Sequence, residues 1–375
     1  MTFGERMRAL MAERGISLRQ LAKTVHYDVG GLSKVSRDLK RPSPQMALAL
    51  DAALGAAGEL AALTPSRTSL WHSPSVAETM NETLAADNEQ RLVGAARAPR
   101  KHDPGIVDAL AAVLAGQRRT EDLLGSAPLI EPVEAQLSVV ETLVIEARGG
   151  LRPGVVDIAA QWAQFYAWLH ASIGKLTKAD LMYDRAIVWA AEVGNANMVA
   201  TAFNMKGHAA WLAGQVGPML GLSRAAQRDG TTPGVRALAA QQEARAHAIL
   251  GDADMTDRKL DQAQALTAAA AECPDAEPPW IYFFNPDMFA LQRARAYLYL
   301  PGRQAAAVEL LTTGIAALPA EVRGSEWLAF YMVDLARVYR ALHEYAEAEK
   351  IAEELAVLAA RIESKRLAEQ VASLA

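Results

Sequence analysis

"LRQLAKTVHYDVGGLSKVSR", residues 18–37, places apolar side chains at Leu18, Leu21, Ala22 and Val25 and again at Leu32 and Val35. Ser17 and Asp28 stand just before the two runs. Such side chains accept bonds from the first free N–H groups of a helix, so the stretch predicts two short helices, "LRQLAKTV" and "VGGLSKVSR", joined by a turn at residues 25–27. Gly30 and Gly31 fall inside the second of them, where each glycine costs about 1 kcal/mol relative to alanine.

Working outward, Phe3–Glu13 shows Met7, Leu10 and Met11 on one face and ends near Gly15. After the second helix "KRPSP" stops the chain, and Pro44–Leu54 predicts a further helix with Met46, Leu48, Leu50 and Leu54 mostly inward. Residues 1–43 hold nine Lys/Arg against Glu5, Glu13, Asp28 and Asp38, a net +5, so the remainder carries -10 of the overall -5. A basic front on an acidic body predicts that only the front meets a polyanion.

The pattern Leu18-x-x-Leu21-Ala22, Val25, Leu32-x-x-Val35 resembles the Cro/C1-type (Xre) helix-turn-helix family over about the first 63 residues. The resemblance implies that the second helix enters the major groove of an operator in double-stranded DNA, with Val29, Gly30, Ser33 and Lys34 facing base edges. Lys34 can reach guanine and Val29 a thymine methyl, while Arg19, Lys23, Arg37, Lys40 and Arg41 are placed for phosphates or the minor groove. The family often has Gln or Ser where Gly30 and Gly31 stand, so chemical letters are missing here. Two accounts compete: the glycines bring the backbone close to DNA with N–H groups free for phosphate, or Leu32 and Val35 hold the helix despite them.

The 375 residues are 51% hydrophobic, enough for two or three domains. The lone Cys273 excludes an internal disulfide and fits a reducing cytoplasm. "MTFGERMRAL" does not read as a signal peptide, and "LALDAALGAAGELAAL" is too broken by Asp51, Gly55 and Glu59 to span a membrane. Residues 64–103 shift to Pro, Ser and Arg and read as a linker, with one helix over 76–96.

From residue 104 to 375 helical periods dominate, and a unit of about 40 residues repeats. Aligning turns at Gly174, Gly214, Gly251, Gly302 and His343 puts Ala167, Gly207, Ala244 and Ala336 at one small position of each first helix, with Arg295 the misfit. "GRQAAAVELLTTGIAALP", residues 302–319, and the last repeat resemble the tetratricopeptide (TPR) repeat at Gly302, Ala307, Leu311, Gly314, Pro319, Ala336, Tyr339, Tyr345 and Ala348. The match covers about residues 155–361, and segments 104–124 and 130–148 are expected to add a helical pair in front. The resemblance implies an all-α protein, a helix-turn-helix domain followed by a TPR-like α-solenoid.

In that family the fifth and ninth positions of the first helices face a ligand. The fifth are Gln164, Asn204, Gln241, Gln292 and Val333, and the ninth are Trp168, His208, Arg245, Ala296 and Arg337. Four carboxamides in successive repeats form a ladder suited to the backbone of an extended peptide, with Arg245 and Arg337 for a carboxylate. "PPWIYFFNPDMF" carries five aromatics in residues 280–289, which plug a seam between repeats or, through Phe289, wall the groove.

No phosphate loop, nucleophile elbow or zinc helix is present in the sequence, and "DADMTD", residues 252–257, reads as a capped helix start, so neither catalysis nor a cofactor is expected. His170, His208 and His247 are expected to be packed and hydrogen-bonded. The combination resembles the peptide-sensing cytoplasmic regulators of Gram-positive bacteria (the Rgg, PlcR, PrgX group), and the alanine- and arginine-rich composition resembles that of actinobacterial proteins. It implies a homodimeric transcriptional regulator answering to a short signalling peptide. The alternatives are the same regulator with a small hydrophobic effector, and a protein–protein scaffold tethered to DNA.

Overall fold

A computed structural model describes residues 2–63 and 105–374, apart from His26, Arg41, Ser43, Ala57, residues 319–321, Arg323 and Glu363. The helix expected over 76–96 and the repeat position Pro319 lie outside the described residues. The fold is all-α, with no strand among the described residues. The chain divides into two compact units, residues 1–72 and 73–375.

In the first unit five helices follow one another: α1 (Phe3–Glu13), α2 (Leu18–Thr24), α3 (Val29–Ser36), α4 (Pro44–Ala53) and α5 (Glu59–Ala62). Their caps are local and legible. Thr2 with Glu5, and Ser17 with Gln20, form reciprocal capping boxes on α1 and α2. Met7, Leu10, Leu21, Leu32, Val35, Leu50 and Leu54 make one core. On α4 the expected inward set is corrected: Leu48 is 60% exposed, and Ala47 is the residue buried in that turn. The inward stripe recurs at Ala47, Leu50 and Leu54, three and four residues apart, and Leu48 falls off it. Asp38 draws the α3–α4 loop to the chain start, accepting from Thr2 Oγ1 at 2.6 Å and Gly4 N at 2.8 Å.

In the second unit α6 (Ile106–Leu124) and α7 (Ile130–Glu146) precede five helix pairs. The first helices are α8 (Arg152–Ser172), α10 (Ala196–Leu212), α12 (Pro233–Ile249), α14 (Pro286–Tyr297) and α16 (Glu326–Ala341). Their partners are α9 (Leu176–Glu192), α11 (Val216–Asp229), α13 (Ala253–Glu272), α15 (Gln304–Ala317) and α17 (Tyr345–Arg361), and α18 (Lys365–Ala372) ends the array. Each first helix packs on its partner and beside the next first helix, the succession of a TPR-like solenoid. The five aligned turns all adopt positive φ: 80° at Gly174, 72° at Gly214, 79° at Gly251, 76° at Gly302 and 63° at His343. Ala167, Ala244 and Ala336 are fully buried, and a Cβ at Gly207 would lie 2.8 Å from Gln242 Nε2 and 3.3 Å from Leu222 Cβ.

The two leading helices do more than extend the array. α7 lies against α8, and Gln117 of α6 donates to Gln136 of α7 at 3.2 Å. But α6 also packs against both α8 and α16, the first and last of the five first helices. At the far end Arg366 of α18 donates to the Ser172 carbonyl of α8 at 2.6 Å. The array is therefore closed on itself by α6 and α18.

A left-handed backbone costs an L-residue about 1–2 kcal/mol, and a Cβ at Gly214 meets nothing within 4 Å. Gly214→Ala is expected to destabilise the chain by about 1 kcal/mol through backbone strain alone, measured by chemical denaturation. Unchanged stability would show that the turn tolerates another geometry.

Candidate functional site

On α3 the buried side is Leu32, Val35 and Ser36, which leaves Val29, Gly30, Ser33 and Lys34 on the opposite side. Val29 is 41% exposed, Gly30 and Lys34 are exposed, and Ser33 is half-buried with its carbonyl accepting from Arg37 Nε at 3.1 Å. Arg19, Lys23, Arg37 and Lys40 are exposed cations, and Arg41 lies outside the described residues. The glycine pair has a local cause. The two Asp28 carboxylate oxygens accept from Gly30 N and Gly31 N, each at 2.7 Å. A Cβ on Gly31 would stand 2.6 Å from Asp28 Oδ2, and one on Gly30 3.0 Å from Oδ1. The expectation that these N–H groups stay free for phosphate is thus corrected, because Asp28 occupies both. The bonds from Gly31 and Gly30 hold the Asp28 carboxyl below its ordinary range.

Gln164, Asn204 and Gln241 are buried on α8, α10 and α12, and Gln292 is half-buried on α14, donating to the Tyr331 hydroxyl at 2.6 Å. The oxygens of Asn204, Gln241 and Gln292 are buried with no donor. One turn further along each helix stand Trp168, His208 and Arg245, and they join a continuous strip. The Trp168 and His208 rings lie 5.8 Å apart, and His208 and Trp211 5.0 Å. Arg245 stacks 4.3 Å from the Trp211 centroid and meets His208 Nδ1 at 3.3 Å. Arg295 lies 3.9 Å over Tyr331 and pairs with Asp334 at 2.6 Å. Burial, then the charges of Arg245, Arg295 and Arg366, push His208 well below its ordinary pKa, so its ring is neutral.

Two expected groove residues sit elsewhere. Phe289 packs into an inter-repeat core with Ala240, Ala244, Tyr297 and Leu300, so it walls no groove. Arg337 is exposed and turned to α18, donating to Gln370 Oε1 at 2.6 Å and Ser373 Oγ at 3.2 Å. On α16 the inner face is Tyr331 and Asp334, and Val333 is core. Of the aromatic cluster, Trp280 and Ile281 plug the seam, Trp280 Nε1 donating to Thr201 Oγ1 at 3.0 Å. His170 is packed as expected, but neither ring nitrogen has a partner, and burial with Lys178 and Lys175 lowers its pKa to about 4.

The closing helix α6 brings an acidic pair to this face. Glu121 Oε1 accepts from Trp168 Nε1 at 3.2 Å and from Ser126 Oγ at 2.6 Å. The Tyr282 hydroxyl donates to Asp122 Oδ2 at 2.6 Å. Burial first, and then the neighbouring Asp122 charge, push the Glu121 carboxyl up to about 8, and burial also raises Asp122. Sequence reasoning missed Trp211, Arg295, Asp334 and the Glu121–Asp122 pair; Arg295 alone carried a signal, a charge at a position where the other repeats are small.

Residues 2–63 match a family model described as a helix-turn-helix domain. No curated protein matches the chain. Among solved structures, the chain is similar to one described as nearly identical TPR-like repeats of a Podosopora anserina kinesin light chain, at 19% identity over 54% of this chain and 95% of that one, with a TM-score of 0.35. The protein thus joins a helix-turn-helix domain, a class that binds DNA, to a TPR-like helical array. The array is recognised by its own helix packing.

Two predictions follow from these contacts. Gly31→Ala is expected to lower thermal stability, because its Cβ displaces the Asp28 carboxylate. In an Asp28→Ala background the same change is expected to raise stability by up to about 1 kcal/mol, alanine's helical advantage. Equal effects in both backgrounds would separate the glycine from the cap. For Glu121 the folded chain holds a proton that the unfolded chain releases near its ordinary value of 4.5. Its contribution is full below that value and is lost as pH rises towards about 8. Denaturation midpoints should fall across that window, and Glu121→Gln should flatten the fall; an unchanged slope would show that Glu121 is ionised in the fold.

Proposed function

We propose that the chain is a homodimeric DNA-binding transcriptional regulator whose array, residues 104–375, binds a short signalling peptide and is joined by the linker 64–103 to the DNA-binding domain 1–63. In this reading Val29, Gly30, Ser33 and Lys34 read bases, and Arg19, Lys23, Arg37, Lys40 and Arg41 contact phosphates or the minor groove. The observation that carries the ligand half is the row of undonated carboxamide oxygens on Asn204, Gln241 and Gln292, from three adjacent first helices. A buried acceptor without a donor costs about 1–3 kcal/mol, and the N–H groups of an extended peptide relieve that cost. Binding acts on the DNA-binding domains to the extent that the peptide prefers one arrangement of the array.

A small effector is the second reading. It is favoured by the closure of the inner face by α6 and by the aromatic strip from Trp168 to Trp211. Calorimetry of the full chain against peptide pools and small-molecule libraries separates the two. On the DNA side, Lys34→Ala is expected to reduce the preference for operator over random DNA, and Lys40→Ala to weaken both alike with a salt slope smaller by about one. An undiminished operator preference in the Lys34 variant, measured by fluorescence anisotropy, removes Lys34 from base reading.

A further inference from the structure

The strip on the inner face contains two arginines of unlike standing. Arg295 has an acid, Asp334, at 2.6 Å. Arg245 is 1% exposed and has none: its Nε and Nη1 are buried with no acceptor, and Nη2 reaches only His208 Nδ1 at 3.3 Å and Gln242 Oε1 at 3.2 Å. A buried guanidinium without a counter-charge is costly, since desolvation is offset only by a close anion and filled hydrogen bonds. No acid pairs with it directly: Asp334, whose charge reaches Arg245, is engaged by Arg295 at 2.6 Å. His208 is neutral, and Arg295 adds a second positive charge near Trp211, its guanidinium 5.8 Å from the ring centroid.

The approach to Arg245 is aromatic and half-open. Trp168, His208 and Trp211 are each only partly buried, and Tyr299, 40% exposed, accepts from Trp211 Nε1 at 3.1 Å. Flat, half-buried rings beside a buried cation match a flat, apolar body that carries an anionic head.

We infer that Arg245 is the anion-binding residue of the array, and that its ligand presents a carboxylate attached to a flat ring, stacked among Trp168, His208 and Trp211. This rests on the reading of the array as a ligand-binding unit, but neither on the DNA-binding half nor on the ligand being a peptide. A free aromatic acid and the C-terminus of a peptide ending in an aromatic residue share this chemistry.

Isothermal titration of the full chain with indole-3-acetate, Gly-Gly-Trp and Gly-Gly-Trp amide tests the assignment. At least one of the two carboxylates is expected to bind, with the amide weaker by about tenfold, the loss expected for a charge-assisted hydrogen bond. Binding of indole-3-acetate alone upholds the anion site and overturns the peptide reading; binding of the tripeptide upholds both. Arg245→Met is expected to weaken the bound carboxylate by about tenfold or more and, without any probe, to melt higher than the parent, because it removes an unpaired buried charge. A purely structural arginine would give the opposite melting shift. Arg245→Lys keeps the charge in a smaller head and is expected to retain partial binding. Failure of both carboxylates to bind the parent, or equal binding by the parent and Arg245→Met, overturns the inference.

Discussion

Close stacking of the five first helices is the constraint on which the second unit depends. Alanine or glycine at one place in most of these helices lets the backbones approach, and Gly207 is already in near contact with Gln242 and Leu222. Stacking brings the positions one turn away into a single row, so that whatever those positions carry is concentrated. Here they carry carboxamides, a tryptophan, a histidine and an arginine. The closing contacts of α6 and α18 then remove much of this face from water. What remains is a surface whose apolar parts are packed and whose polar parts are partly unpaired, Asn204, Gln241, Gln292 and Arg245 among them. Buried Glu243, in the same array, is met by Lys259 at 2.8 Å and by Arg224 at 2.9 Å.

Much of the fold was legible because its signals are local. Ser17 and Asp28 announce α2 and α3, and the turns at Gly174, Gly214, Gly251 and Gly302 need the left-handed backbone that glycine favours. His343 kept its place in that series even without being glycine. The same spacing from the turns leads to Gln164, Asn204 and Gln241, which are buried in successive first helices. On the last first helix Val333 is core and Arg337 turns to α18, while Tyr331 and Asp334 meet Gln292 and Arg295.

Other features were invisible because they depend on distant partners. Nothing local marks α6 as the helix that meets both ends of the array, or Glu121 as the acid that receives Trp168 from 47 residues away. The glycine pair in α3 shows the reverse: a feature that seemed to bear on DNA has a structural explanation one turn away. The Gly30 and Gly31 N–H groups bind the Asp28 carboxylate, and the helix start gains a cap. The outward positions of α3 remain Val29, Gly30, Ser33 and Lys34, so this cap stands beside the residues assigned to base reading without consuming them.

Arg245, with its buried Nε and Nη1 lacking an acceptor, is the residue inferred to bind the carboxylate of a ligand. Side-chain nuclear magnetic resonance of the Arg245 Nε–Hε group in the full chain, assigned by comparison with the Arg245→Met variant, observes it directly during titration with indole-3-acetate or Gly-Gly-Trp. The account predicts a free signal that moves downfield and becomes protected from exchange as the carboxylate arrives. A signal already hydrogen-bonded before either acid is added, and unmoved by both, would contradict it.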